Sequence, residues 1–291
     1  MSAKLLLPYD GSPAAQRAAE LAAGYAGDKR ALAITLLNVQ SRPLSLWPEA
    51  SGAAGAIEAA LLDEGRSTLA QATSRLDAAG LAVRAEVRLG LAAQAIVREA
   101  RHADAVLMGT RGAGVVHGYA LGSVALRVVH GAAVPVLVKP EDRLPEALGK
   151  RLRVLLAMDG SEAALRAAER LVQWRSWLGE LEVHLVHVQR PLTVLETVLP
   201  PHDDLVRQWS TEEAERATQK ARDLLRSAGI VHHLHLSTGD PALEVRELAA
   251  HTSSELAVLG TRGLGAAHHA FVGSVALKAA VAVSVPALLV G

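Results

Sequence analysis

Two stretches of the chain carry residue types at a spacing suited to chemistry. "GTRGAGVVHGYALGS" runs from Gly109 to Ser123 and "GTRGLGAAHHAFVGS" from Gly260 to Ser274, both reading G-x2-G-x9-G-S. Each follows a short apolar run that reads as a buried strand. Gly109 and Gly112 lack a Cβ, so the backbone there can turn sharply or approach a ligand. Gly122-Ser123 opens a helix, whose free N–H groups and positive dipole end suit an anion. Asp10, in "LLLPYDGS", ends another apolar run and can accept hydrogen bonds from a ligand's hydroxyl or amino groups. The second copy repeats the set with Asp159, Gly260, Gly263, Gly273 and Ser274. Phosphate at a helix start, with a polar base or sugar beside an aspartate, describes a nucleotide site. The competing reading is that these glycines serve tight turns and close helix–sheet packing. Arg111 and Arg262 would each offer a triphosphate a charge-assisted contact of about 1.5–3 kcal/mol; otherwise they are solvated turn residues.

The elements that must hold these residues occur twice. "KLLLPYDGS" at Lys4 and "RVLLAMDGS" at Arg153 stand 149 positions apart, whereas the glycine stretches stand 151 apart. Two residues therefore enter the second copy, most simply in the turn around "HTSSE" (251–255). A period this long is a domain duplication rather than a solenoid. The expected domains are 1–141 and 150–291, joined by the proline-containing, charged "KPEDRLPEALGK". Within a copy, apolar runs alternate with amphipathic stretches. Strand 4–10 leads to helix 12–26, where Ser12 can cap and Pro13 suits the first turn. Strand 31–39, a long helix ending near 75–80, strand 81–90, helix 91–103, strand 104–109, helix 123–132 and strand 134–139 complete the set. Runs such as "AVLMG" lack alternation, as central strands covered on both faces do. Each half is thus expected to be a five-stranded doubly wound α/β domain with right-handed crossovers. Ligands in such sheets sit at the carboxyl ends of the strands, near a topological switch point.

Composition sets the boundaries. Of 291 residues, 30 are Lys or Arg and 30 Asp or Glu, so no net field attracts a polyanion, and no basic cluster supplies a nucleic-acid face. The absence of cysteine excludes disulfides, iron–sulfur clusters and thiol catalysis. No apolar run reaches the length of a membrane span, and "MSAKLLLPYDGS" is too short and too broken for a secretory signal. The expectation is a cytoplasmic protein that engages neither nucleic acid nor membrane.

The combination of an opening strand ending in "DGS", then G-x2-G-x9-G-S, then a helix and "VPVLV", resembles the universal stress protein family in its ATP-binding branch, as two tandem copies. The resemblance implies Rossmann-like parallel sheets of order 3-2-1-4-5 and a stress-responsive regulatory role. It also implies pairing of the two halves through their last strands about a pseudo-two-fold axis, imitating the family's homodimer, and leaves open a further homodimer of the tandem chain. By resemblance, Asp10 and the backbone at Val39 would hold adenine and ribose. Gly109, Arg111, Gly112, Gly122, Ser123 and Val124 would surround ribose and phosphates. Their counterparts are Asp159, Val188, Gly260, Arg262, Gly263, Gly273, Ser274 and Val275. The ligand implied is ATP, with Mg²⁺, although ADP or AMP should compete. The family often places a small hydroxyl residue where this chain has Ala125 and Ala276. Pro8 is replaced by Ala157 in the second copy, which hints that the two sites differ.

Other residues tempt. In "VHHLHL" (231–236), His233 and His235 share one strand face and His232 the other. A pair is too few for a metal site, so a solvent-facing edge is expected. His117 and His268 fall inside the glycine stretches, and Trp47 and "VLETVLPPHDD" in poorly matched loops of the kind that carry partner specificity. Functionally, there is no G-x4-G-K-[ST] and no residue placed by the motif to activate water. That favours a nucleotide-responsive binding module with little or no turnover. One alternative is slow ATP hydrolysis or nucleotidyl transfer, with Mg²⁺ and Arg111 or Arg262 stabilising charge. Another is a nucleotide-independent scaffold or chaperone.

Overall fold

A computed structural model describes residues 3–25, 32–41, 53–110, 121–139, 151–189, 203–263 and 272–291. The chain divides into two compact units, Met1–Leu144 and Pro145–Gly291. The first unit contains β1 (Ala3–Pro8), α1 (Pro13–Tyr25), β2 (Leu32–Gln40), α2 (Ala53–Ala78) and β3 (Ala82–Leu89). It continues with α3 (Ala92–Glu99), β4 (Ala105–Gly109), α4 (Ser123–Gly131) and β5 (Val136–Lys139). Its strands pair in parallel in the order β3-β2-β1-β4-β5.

The second unit repeats this plan. It has β6 (Arg151–Ala157), α5 (Glu162–Gln173), a one-turn α6 (Arg175–Leu178), β7 (Glu180–Gln189) and α7 (Asp203–Ser227). Then follow β8 (Val231–Thr238), α8 (Pro241–His251), β9 (Leu256–Gly260), α9 (Ser274–Ala282) and β10 (Ala287–Val290). The order is β8-β7-β6-β9-β10, again all parallel. In each unit the winding reverses between the first and fourth strands, so the switch point lies at the carboxyl ends of β1 and β4, and of β6 and β9.

Burial explains why these runs are strands. Leu5, Leu6 and Leu7 are all buried, as are Ala105 through Met108, so the central strands are apolar on both faces. The edge strands β3 and β8 instead mix exposed and half-buried residues. The covering helices present small faces: α1 buries Ala14, Ala15, Ala18 and Ala22, and α5 buries Ala163, Ala164, Ala167 and Ala168. Small faces bring helix backbone close to the sheet. A Cβ on Gly109 would lie 2.6 Å from the Cβ of Ala14, and one on Gly260 would lie 2.6 Å from the Ala164 nitrogen. The packing reading therefore holds for the first glycine of each stretch. Gly109 and Gly260 are required by the helix that crosses them, whatever else they do.

Boundaries shift from expectation in informative ways. Strand β1 ends at Pro8, leaving Tyr9 and Asp10 in the loop. The expected helix 91–103 is α3 followed by a 3-10 turn at Ala100–His102. Its counterpart α8 runs straight to His251 and then turns through Ser253, whose φ is 50°. The two additional residues fall there. Beyond them the equivalence resumes: Asp104 accepts the Lys4 backbone N–H, and Glu255 accepts that of Arg153.

Candidate functional site

Each "DGS" is three devices in sequence. The Asp10 carboxylate (Oδ1) accepts the Ser12 backbone N–H at 3.0 Å, and Asp159 accepts that of Ser161 at 2.9 Å, which closes a side-chain turn. Between them Gly11 and Gly160 sit at φ 78° and 81°, a region that favours glycine. Ser12 and Ser161 then cap α1 and α5, their hydroxyls accepting the N–H of Ala15 and Ala164 at 3.2 Å. The turn fixes the aspartate at the strand's carboxyl end and, among the described residues, uses one carboxylate oxygen.

The neighbouring strand is held open beside it. The Tyr9 N–H donates to Leu37 O, and Met158 N–H to Val186 O, both at 2.8 Å. Backbone groups alternate sides along a parallel strand, so the N–H and C=O of Val39 and of Val188 face the same way, past the point where β1 and β6 have ended. One position between them is polar in both copies. Asn38 Nδ2 donates to Tyr9 O at 2.9 Å, and His187 Nδ1–H donates to Met158 O at 2.8 Å. Both side chains are buried and pin the residue preceding the aspartate. Sequence reasoning passed over them. The available signal was a lone polar residue inside "LLNVQ" and inside "LVHVQ".

The far wall is the start of α4. Gly122 N–H donates to Thr110 O at 2.7 Å and Gly273 N–H to Thr261 O at 2.6 Å, drawing each helix start back onto its fourth strand. Thr110 and Thr261 are buried, and the sequence reading had not singled them out either. Neither α4 nor α9 has a side-chain cap, whereas α5 and α8 are capped by Ser161 and Asp240. The first intrahelical bond of α4 runs from Leu126 N–H to Gly122 O, so the N–H groups of Ser123, Val124 and Ala125 lack helical acceptors. Helix α3 also starts uncapped, at the same cleft.

These walls enclose a cleft of about 320 Å³ in the first unit. Asp10, Val39, Gly109, Gly122, Ser123 and Val124 all line it, together with Pro8, Tyr9, Thr110, Ala92 and Ile96. Burial, more than any neighbouring charge, pushes the Tyr9 phenol above its ordinary pKa, so it is neutral at physiological pH. Arg111, Gly112, His117, His268 and Trp47 lie outside the described residues, as does "VLETVLPPHDD" up to the first turn of α7. In the second unit the carboxylate of Asp159 (Oδ2) faces Gly263, where a Cβ would come within 2.8 Å of it. Arg262 is half-buried with its guanidinium near Gly291, Ser274 and Val275 are exposed, and Gly273 is half-buried. Among the described residues no three His, Asp or Glu side chains converge as a metal site requires, and no described helix is long and apolar enough to cross a membrane.

Fold and site together define a class: two doubly wound α/β domains in one chain. In the first, an acid, open strand backbone and an uncapped helix start meet at the switch point. The model of the universal stress protein family matches residues 1–140 and again 150–291, and the chain belongs to that family. A universal stress protein of Mycolicibacterium smegmatis is 27% identical over 262 residues, covering 88% of this chain and 86% of its own. Universal stress protein Rv1996 of Mycobacterium tuberculosis is 31% identical over 174 residues, 58% of this chain and 53% of that one. The crystal structure of a universal stress protein from Archaeoglobus fulgidus superposes with a TM-score of 0.68 at 21% identity, covering 99% of this chain and 95% of that one. That likeness establishes the fold.

Proposed function

We propose that the first unit binds an adenine nucleotide in this cleft, that the second unit holds a related site, and that the chain acts as a nucleotide-responsive stress protein with little or no turnover. The observation that carries this reading is the meeting of three groups in one cleft: the Asp10 carboxylate, the outward-facing backbone of Val39, and the uncapped N-terminus of α4. A cleft of about 320 Å³ with a largely aliphatic lining lies within the usual size of small-ligand sites. The base would lie against Val39, Ile96 and Pro8, the ribose near the Asp10 carboxylate, and the phosphates at Ser123 and Val124. There the helix dipole and unpaired N–H groups favour negative charge. Mg²⁺ would arrive with the phosphates, since the cleft's described lining offers it a single carboxylate, Asp10. Asp10 and Tyr9 are also the cleft's only described ionisable residues, and Tyr9 is neutral. Such a set grips better than it moves protons, which supports binding over catalysis.

Titration calorimetry with ATP, ADP and AMP tests the reading directly. Binding of one to two nucleotides per chain is expected. Gly122→Val should weaken the first site about tenfold or more, with folding verified by circular dichroism. A wild-type chain silent towards all three nucleotides, or a Gly122→Val chain binding as before, overturns it.

A further inference from the structure

The outer edge of the second unit carries a cluster that the nucleotide reading does not use. In β7 and β8 the register pairs His184 with His233 and Val186 with His235, so three imidazoles and Glu182 share one face of the sheet. His184 Nδ1 and His235 Nε2 are 3.0 Å apart, a hydrogen bond between two rings. The His233 ring stacks 5.2 Å from that of His184, and its Nε2 lies 3.3 Å from the Glu182 carboxylate. Glu182 also stands 3.9 Å from His184 Nε2. The face is closed by α8, which packs on β6, β7 and β8. From β6 comes Arg153, whose guanidinium is held by Ser253 O and Glu255. From α8 come His251, one of the groups that lower the pKa of His235, and Glu244, bonded to the Ser237 hydroxyl.

The same positions in the first unit carry different chemistry. Thr35 stands where His184 does, and Arg84 and Glu86 stand where His233 and His235 do. Arg84 pairs with Glu86 at 2.6 Å, Arg88 joins Glu86, and Arg88 reaches Glu99 on α3 at 3.1 Å. No imidazole stands at any of these positions. Imidazoles are the side chains whose charge changes between neutral and mildly acidic pH.

We propose that the His184–His233–His235 cluster makes the outer edge of the second unit, β8 with its covering helix α8, a proton-operated latch that loosens on mild acidification while the matching edge of the first unit stays closed. The imidazole–imidazole bond needs one ring to accept, so it holds only while one of the two is neutral. A second proton sets two N–H donors head to head, on a face that Arg153 also shares. The single carboxylate of Glu182 can compensate one imidazolium, and half-exposed His233 is the better placed to take it. Burial first, then the neighbouring imidazoles, lower the pKa of His184 and of His235. For a histidine lowered in the folded state, the unfolded or opened state binds more protons. Closure is thus fully favoured above the ordinary value of 6.5 and weakens as pH falls from there through the folded-state value. β8 pairs with β7 alone among the described strands, so it is the element free to respond.

Hydrogen–deuterium exchange on the full chain at about pH 7.5 and about pH 5.5, corrected for intrinsic rates, reads the latch. Protection over 231–238 should fall several-fold more on acidification than over its counterpart 82–89. In a chain carrying His184→Gln and His235→Gln the difference should vanish. Acid loss that is equal in both edges, or that persists in the double variant, overturns the proposal. Should that variant fail to fold, imidazole NMR titration of the wild-type chain decides. Two histidines titrating below 6.5 support the latch; none doing so overturns it. Neither readout involves nucleotide, so the result is independent of the proposed site.

Discussion

At the residue scale, the same amino acid does different work at different places. Gly109 and Gly260 are dictated by packing, because the helix crossing each leaves no space for a methyl group. Gly263 faces Asp159 Oδ2 from an exposed position, so no helix crossing dictates it, and under the proposed function its bare backbone leaves room beside the aspartate. Two outcomes follow. Gly109→Ala should destabilise the first unit by about 1–3 kcal/mol through overpacking, seen as a lower urea midpoint with unchanged slope. Gly263→Ala should leave that midpoint in place and weaken nucleotide binding at the second site in calorimetry. The reverse pattern would mean that the two glycines have been assigned the wrong roles.

At the scale of elements, the helix starts differ in how they are capped. Ser161 and Asp240 satisfy the first turns of α5 and α8. Ser161→Ala should therefore cost about 1 kcal/mol, measured by chemical denaturation. The starts of α4 and α9 carry glycine at the cap position and no side-chain acceptor among the described residues. The edge strands diverge too. β3 carries Arg–Glu ion pairs and β8 an imidazole cluster shared with β7, although the two strands occupy equivalent places.

At the scale of the whole molecule, each of the two units carries the same five-strand order. A ligand bound only by folded protein stabilises its own unit by about 2.7 kcal/mol at a hundred times its dissociation constant. Thermal unfolding followed across an ATP series should show a midpoint that climbs with concentration. A midpoint flat through millimolar ATP would favour a scaffold without nucleotide. Charge acts at this scale as well. Positive and negative residues balance and the isoelectric point is near 7.2. The chain should therefore not shift duplex DNA in an electrophoretic assay at about 150 mM salt, where non-specific association depends on neutralised phosphates.

Much of this was legible in the sequence. Uninterrupted apolar runs such as "AVLMG" mark central strands, and alternation with amphipathic stretches marks a parallel doubly wound sheet, because only covering helices can bury both faces. The internal repeat pointed to the same aspartate and glycines twice. Other features depended on atoms brought together from distant segments. Whether Gly109 meets a ligand or a helix depends on how closely Ala14 packs, which spacing cannot say. Asn38 and His187 became supports of the aspartate only once β2 and β7 lay beside the ends of β1 and β6. The histidines of "VHHLHL" looked like a solvated edge until register set His184 and Glu182 against them. Local sequence determines which residues prefer strand, turn or helix; contacts between strands far apart in the chain are decided by register and packing, which exist only in the folded molecule.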